Sequence, residues 1–210
     1  MNYRGSQIAF ILSLFFLLNL IACAGTPSHG HGPVNVSSDS TSPVLGEVAA
    51  PVKIVEFTDF ECPYCAQVQP ALMQVMQTYP KEVSLTFKNF PLAMHRHAHV
   101  AHLAAMCAHE QGKFWEFRNI LFQNQRALKR SDLNSYAQRV GLDMNVFGSC
   151  VDQEKYGSKI EEDYREGMAS GVLGTPAFLI GSELASGALS FEAFDAKIKE
   201  LLAKKAKQGN

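Results

Sequence analysis

Val52-Lys53-Ile54-Val55-Glu56-Phe57-Thr58, followed after three residues by Cys62-Pro63-Tyr64-Cys65, is the stretch on which the reading of this chain turns. Its first part is short, apolar and β-branched, the pattern of a strand covered on both faces. From Cys62 the period changes. Val68, Leu72, Val75, Met76 and Tyr79 fall at helical spacing and give one apolar face. Pro63 lies in the first turn, where proline is tolerated, and Pro70 lies inside the helix, where a kink is expected. Two cysteines three positions apart at such a strand-to-helix junction can close a small disulfide and open it again, so the pair can carry two electrons between thiols. Cys62 faces unpaired backbone N–H groups and the positive end of the helix dipole, which favour a thiolate; Cys65, a turn further in, is expected to be more buried. A free thiol titrates near ~8.5, and sites of this kind bring it to roughly 3.5 to 7.5. A structural zinc site needs four ligands, and no second close Cys or His pair of that spacing accompanies this one. A purely structural disulfide needs no strand-to-helix junction.

Outward from the motif, Val83-Ser84-Leu85-Thr86-Phe87 alternates like a second strand and completes a βαβ unit by about Lys88. A long helical stretch follows, from about His95 to Ser170, with breaks expected near Gly112, at Ser131, at Gly141 to Asp143 and near Asp152. Gly171 ends it. Thr175-Pro176 then leads into Ala177-Phe178-Leu179-Ile180, a third strand pattern, and Gly181-Ser182 predicts a hairpin turn with a short partner strand around Leu184. Ser190 is placed to cap a last helix, with Leu189 and Phe194 as a hydrophobic staple and Phe194, Ile198, Leu201 and Leu202 as the buried face. The chain has 210 residues and a net charge of −1, which suits one globular domain and gives no basic excess for nucleic acid.

The N-terminus has the order of an export signal: Arg4, then a run from Ile8 to Ile21 that is apolar except for Ser13 and Asn19 and is short for a membrane span. It ends in Leu20-Ile21-Ala22-Cys23, which resembles the lipobox of bacterial lipoproteins. That implies a signal peptide over residues 1–22, cleavage before Cys23 and lipid on its sulfur. An ordinary cleaved signal or an uncleaved anchor is the alternative, and either still exports the domain. Residues 23–43 are rich in Gly, Ser, Thr and Pro and form a flexible leash, with the folded domain expected over 44–205.

These pieces together resemble the DsbA-like thiol-disulfide oxidoreductases of the thioredoxin superfamily. The resemblance runs from about Pro43 to Ala203. It rests on Glu56-Phe57 before the motif, Cys-Pro-Tyr-Cys opening a helix, Pro70 eight residues beyond Cys62, Gln111-Gly112-Lys113-Phe114-Trp115, and Gly171-Val172-Leu173-Gly174-Thr175-Pro176 before a strand. It implies an α/β thioredoxin fold, a central mixed sheet flanked by helices, with a helical subdomain inserted at about 95–170. It also implies that Cys62 is the nucleophile and Cys65 the resolving thiol, and that Pro176 is a cis-proline beside them. The backbone of Thr175 would pair with extended substrate, and Glu56 would be a buried acid exchanging a proton with the second cysteine, its pKa raised by burial. The alternative for Glu56 is a strand-edge residue reaching water. With Cys23 taken by lipid, four cysteines remain. Cys107 and Cys150, on apolar sides of two inserted helices, are expected to form a structural disulfide, as in some relatives; buried free thiols are the alternative.

The resemblance implies no bound organic cofactor. Its partners would be thiol-containing secreted proteins, the membrane through the lipid anchor, and a membrane redox partner: a quinone-linked oxidase if the protein forms disulfides, a thiol donor if it reduces or isomerises them. Disulfide formation is the expected direction. Tyr64, where strongly oxidising relatives have histidine, and Thr175, where the best-known oxidase has valine, speak for the reverse. A rival reading is a metal-binding or copper-delivery protein that uses the cysteine pair with histidines. His99, His102 and His109 fall along one side of a helix beginning near Ala98, expected to be a solvated face; their spacing can also ligate a metal, helped by His29 and His31. Phe114, Trp115, Phe117 and Phe122 are expected in the core of the insertion.

Overall fold

A computed structural model describes residues 41–208; the signal segment, Cys23, His29 and His31 lie outside the described residues. Strand β2 (Val52–Thr58) is buried along nearly its whole length, with Lys53 half-buried and Glu56 enclosed among its apolar residues. Helix α1 (Pro63–Thr78) returns the chain to β3 (Val83–Asn89), which runs parallel to β2 with Thr58 opposite Asn89. The sheet order is β1-β3-β2-β4-β5, with β4 (Ala177–Ile180) antiparallel to β2 and β5 (Glu183–Ser186) antiparallel to β4. β1 (Val44–Gly46), absent from the sequence reading, pairs antiparallel with β3 at the other edge. Three residues are too few to display an alternation.

One face of the sheet is covered by α1 and by α7 (Phe191–Gln208), with Ile54, Leu72, Leu85, Phe178 and Phe194 in the core between them. Ser190 Oγ accepts from Ala193 N at 3.3 Å at the start of α7, the cap its sequence suggests. Between β3 and β4 the chain makes α2 (Ala98–Glu110), α3 (Phe114–Gln123), α4 (Arg130–Arg139), α5 (Met144–Asp152) and α6 (Gly157–Ala169). α6 lies close on β3. A Cβ on Gly167 would come within 2.7 Å of Phe90 and 2.9 Å of Phe57, so only glycine allows this approach. The expected break at Ser131 is displaced. Helix α4 begins one residue earlier, at Arg130, because the Asp132 carboxylate reaches back to the Lys129 N–H at 3.0 Å and caps the turn.

The solvated histidine face is also corrected. His99 is exposed, but residues 101–108 are all buried, and His102 is fully enclosed between Phe60 and Phe87. The alanine-rich α2 packs on most of its circumference, so its small residues leave no single wet side. Asn89 Oδ1 accepts from His102 Nδ1 at 2.8 Å, and Asn89 Nδ2 donates to Asp163 at 2.6 Å. Burial holds the His102 imidazole down to about 4, outweighing the opposing pull of Asp59 and Asp163. Phe114, Phe117 and Phe122 lie in the insertion core, with Trp115 packed at its margin. Cys107 on α2 and Cys150 on α5 are joined through sulfur, with Cα atoms 5.9 Å apart.

Candidate active site

Cys62 is the N-cap of α1, with extended backbone (φ −73°, ψ 119°) and Pro63 following in the first turn. Its carbonyl accepts the first helical bonds, from Cys65 N at 3.1 Å and Ala66 N at 3.3 Å, while its own N–H donates to Asp59 O at 3.2 Å. The two motif cysteines are free thiols, Cys65 fully buried and Cys62 4 % exposed. Cys62 Sγ donates to the Thr175 carbonyl at 3.3 Å across 113 residues of chain. The peptide bond between Thr175 and Pro176 is cis, and Pro176 is buried where β4 begins. Strand pairing makes this meeting possible: Ala177 lies opposite Phe57, so the same register puts Pro176 level with Thr58, the last residue of β2, and carries Thr175 past it toward the motif.

The two sulfurs differ sharply as acids. A hydrogen bond from Cys65 is the largest influence on Cys62; with the Thr175 side chain and the backbone N–H groups of Cys65 and Tyr64, it overcomes the cost of burial and brings Cys62 from 9.0 down to about 5. Burial first, and then its bond to Cys62, push Cys65 far up, against the Thr58 side chain and the Asp59 backbone. At neutral pH one sulfur is therefore a thiolate and its neighbour a proton donor to it. Such a division suits disulfide exchange, which is favoured by one sulfur that attacks or leaves readily as a thiolate.

Glu56 is fully buried, but it is not the isolated acid that the sequence suggests. Arg118 of α3 donates to Glu56 Oε2 at 2.7 Å, forming an ion pair with both side chains out of water. The Arg118 guanidinium lies 5.3 Å from the Trp115 ring centroid and 4.9 Å from that of Phe122. Gln69 Nε2 donates to Glu56 Oε1 at 3.1 Å and to Cys65 O at 2.6 Å, so Glu56 reaches the motif through one amide. Asp59, also buried, orders the approach to the motif by accepting from Glu61 N at 2.7 Å, Leu92 N at 2.6 Å and His95 Nδ1 at 2.9 Å.

Gln69, Asp59, Arg118 and Gln125 escaped the sequence reading. Two had a usable signal. Gln69 stands four residues after Cys65, on the same helix face, and Arg118 stands four from both Phe114 and Phe122, a cation on an aromatic face. Tyr64, two residues after Cys62, is 61 % exposed, and Leu173, two residues before Thr175, is 90 % exposed, so each of the two segments that meet at the thiol carries one exposed large apolar side chain. Among the described residues no group of three His, Cys, Asp or Glu side chains is placed to hold a metal ion.

The sequence profile of the thioredoxin family matches residues 38–200. Among curated proteins, the Na(+)/H(+) antiporter NhaA 3 of Salinispora tropica is 35% identical over 161 residues, which are 76% of this chain and 24% of that protein. The chain thus spans about a quarter of the length of the curated relatives it matches. A thioredoxin-like oxidoreductase from Silicibacter pomeroyi DSS-3 superposes with a TM-score of 0.72 at 25% identity, over 80% of this chain and 94% of that one. A periplasmic thioredoxin-like protein from Salmonella enterica serovar Typhimurium gives 0.68 at 29% identity, over 79% and 92%. The thiol-disulfide exchange protein alpha-DsbA2 from Wolbachia pipientis shares the fold, with a TM-score of 0.71 at 21% identity over 78% and 88%. The chain belongs to the thioredoxin family, with a set of helices inserted between β3 and β4.

Proposed function

We propose that this protein is a DsbA-like thiol-disulfide oxidoreductase that is exported, is tethered to a bacterial membrane by lipid on Cys23, and forms disulfides in secreted proteins through Cys62 and Cys65. The observation that carries the reading is the unequal pair itself, a Cys62 thiol drawn down to about 5 beside a buried Cys65 whose thiol is pushed up. In the oxidised protein Cys62 and Cys65 share a disulfide. A substrate thiolate attacks Cys62 Sγ, the Cys62–Cys65 bond breaks, and Cys65 leaves and takes up a proton. A second substrate thiolate then attacks the substrate sulfur of the mixed disulfide and expels Cys62 as a thiolate. The substrate dithiol is oxidised, the motif is reduced, and two electrons have moved.

The low pKa of Cys62 favours the oxidising direction because it makes Cys62 a good leaving group and stabilises the reduced protein at neutral pH. It weighs more than Tyr64 and Thr175, since the Thr175 side chain is itself one of the groups that lower Cys62. The Thr175 carbonyl, facing Cys62 Sγ, is the edge along which an extended substrate pairs. A quinone-linked membrane oxidase restores the disulfide. Export is supported by the charge-then-apolar N-terminus and by the periplasmic Salmonella protein's likeness.

The test is the equilibrium of the Cys62–Cys65 couple against glutathione, together with refolding of a reduced, disulfide-containing substrate. An oxidase has a potential nearer about −120 mV than about −270 mV; a value at the reducing end reverses the direction. Cys62→Ser should form no mixed disulfide, whereas Cys65→Ser should accumulate one. Mass spectrometry of the mature N-terminus decides the tether: Cys23 missing or unmodified ends that part of the proposal.

A further inference from the structure

Gln125 lies between α3 and α4, in the helical insertion, yet its side chain reaches the redox loop. Its amide nitrogen donates to Phe60 O at 2.8 Å and to Cys62 O at 2.7 Å. Two carbonyls can be satisfied only by the nitrogen end of a carboxamide, and both of its hydrogens are used here. Cys62 O is also the acceptor for Cys65 N and Ala66 N. One carbonyl therefore joins the first turn of α1 to a residue 63 positions further along the chain.

The support of Gln125 is itself braced. Asn124 Nδ2 donates to Ile120 O at 2.8 Å, Ala127 N donates to Asn124 O at 2.9 Å, and the Tyr136 hydroxyl of α4 donates to Ala127 O at 3.0 Å. Leu128 beside them is 1 % exposed. The segment is thus a small platform fastened to both α3 and α4, from which Gln125 reaches into the motif.

We propose that Gln125 is a positioning residue through which the helical insertion sets the reactivity of Cys62. The proposal rests on the redox role given above to that thiol. The orientation of the Cys62 peptide fixes where Sγ points and where the N–H groups of Tyr64 and Cys65 lie relative to it. Both N–H groups favour the thiolate. Holding the carbonyl from the insertion side keeps that peptide extended, and releasing it lets the N-cap rotate and weakens the alignment on which the charge depends. A movement of α3 against α4, as when a polypeptide presses on the insertion, is thereby transmitted to the sulfur.

The experiment uses the full chain in the reduced state with Gln125→Leu, which keeps the bulk but donates nothing, and with Tyr136→Phe, which loosens the platform without touching the motif. The ultraviolet absorbance of the thiolate is followed against pH, the equilibrium with glutathione is measured, and unfolding midpoints are recorded beside them. Gln125→Leu should raise the Cys62 pKa by roughly one unit and shift the exchange equilibrium about tenfold toward the disulfide form. Tyr136→Phe should move both in the same direction, roughly threefold. A lowered midpoint with an unchanged thiolate titration would make Gln125 merely structural and overturn the proposal. Should Gln125→Leu fail to fold, an unmoved titration in Tyr136→Phe overturns it equally. Wild-type protein that exchanges no disulfide with glutathione defeats the proposed function instead, because the thiolate titration reads the clamp whether or not exchange occurs.

Discussion

Replacing Thr175 by valine removes one hydroxyl from the site and almost nothing else, and its effect on Cys62 can be worked out in advance. In the thiol form Cys62 Sγ donates to the Thr175 carbonyl, and the buried Thr175 hydroxyl has no partner. When Cys62 ionises, that hydroxyl gains an acceptor, and its bond helps to lower the thiol. The bond therefore exists in one protonation state only, so its whole strength becomes a pKa shift. Hydrogen bonds to charged groups contribute about 1.5 to 3 kcal/mol. Taking the low end, because sulfur is a diffuse acceptor, Thr175→Val should raise Cys62 from about 5 to roughly 6. At pH 5.5 the thiolate fraction would fall from about three quarters to about a quarter, and the rate of alkylation by iodoacetamide would fall threefold with it. Near pH 8 both proteins are almost wholly ionised and should react alike, an internal control. The reduced form loses about 1.4 kcal/mol at neutral pH, so the couple should become more reducing by about 30 mV. A hydroxyl without a partner in the thiol state also means that the variant should be no less stable than wild type below pH 5. An unchanged titration, or a marked loss of stability in acid, would refute the reasoning.

Glu56→Gln leaves the Arg118 charge buried without its counter-ion and should lower stability by about 3 to 5 kcal/mol in urea unfolding, with Glu56→Leu plus Arg118→Met recovering much of it. Stability should also fall on acidification. His102 titrates at about 4 in the fold against 6.5 ordinarily, so its contribution is full above pH 6.5 and is lost as pH falls from 6.5 to about 4. The difference of 2.5 units corresponds to about 3 kcal/mol. Urea midpoints measured across that range should slope, and His102→Phe should flatten the slope, leaving the smaller share of half-buried His109, which is shifted in the same direction. Replacing Cys107 and Cys150 together by alanine opens a crosslink of sequence separation 43 and should cost about 4 kcal/mol in the chain-entropy model. The Cys62 titration should stay where it is.

Much of the sheet was legible because β2, α1 and β3 each announce themselves by period, and because Gly171 and Gly181 mark ends where the backbone takes positive φ. The hairpin of β4 and β5 and the cap at Ser190 followed from turn and cap chemistry in the same local way. What stayed hidden was whatever depends on contact across the chain. Glu56 in an apolar strand suggested a buried carboxyl, but its counter-ion is 62 residues away on α3. His102 looked like part of a polar stripe, because spacing along a helix says which residues share a side and not how many sides are covered. Gln125 sits in a polar turn and resembles any loop glutamine until its two carbonyl partners are in view.

The pairing of Ala177 with Phe57 has a consequence for the order of events in the life of the molecule. Thr175 and Pro176 belong to the last part of the domain to be made, more than a hundred residues after the sulfur they face. Until β4 has docked, Cys62 lacks the Thr175 carbonyl and hydroxyl, and before Gln125 arrives it lacks the support of its own carbonyl. A chain without β4 therefore lacks the share of the lowering that Thr175 supplies, although Cys65 and the backbone of the motif lie beside Cys62 from the start. The full acidity of this thiol is a property of the completed fold.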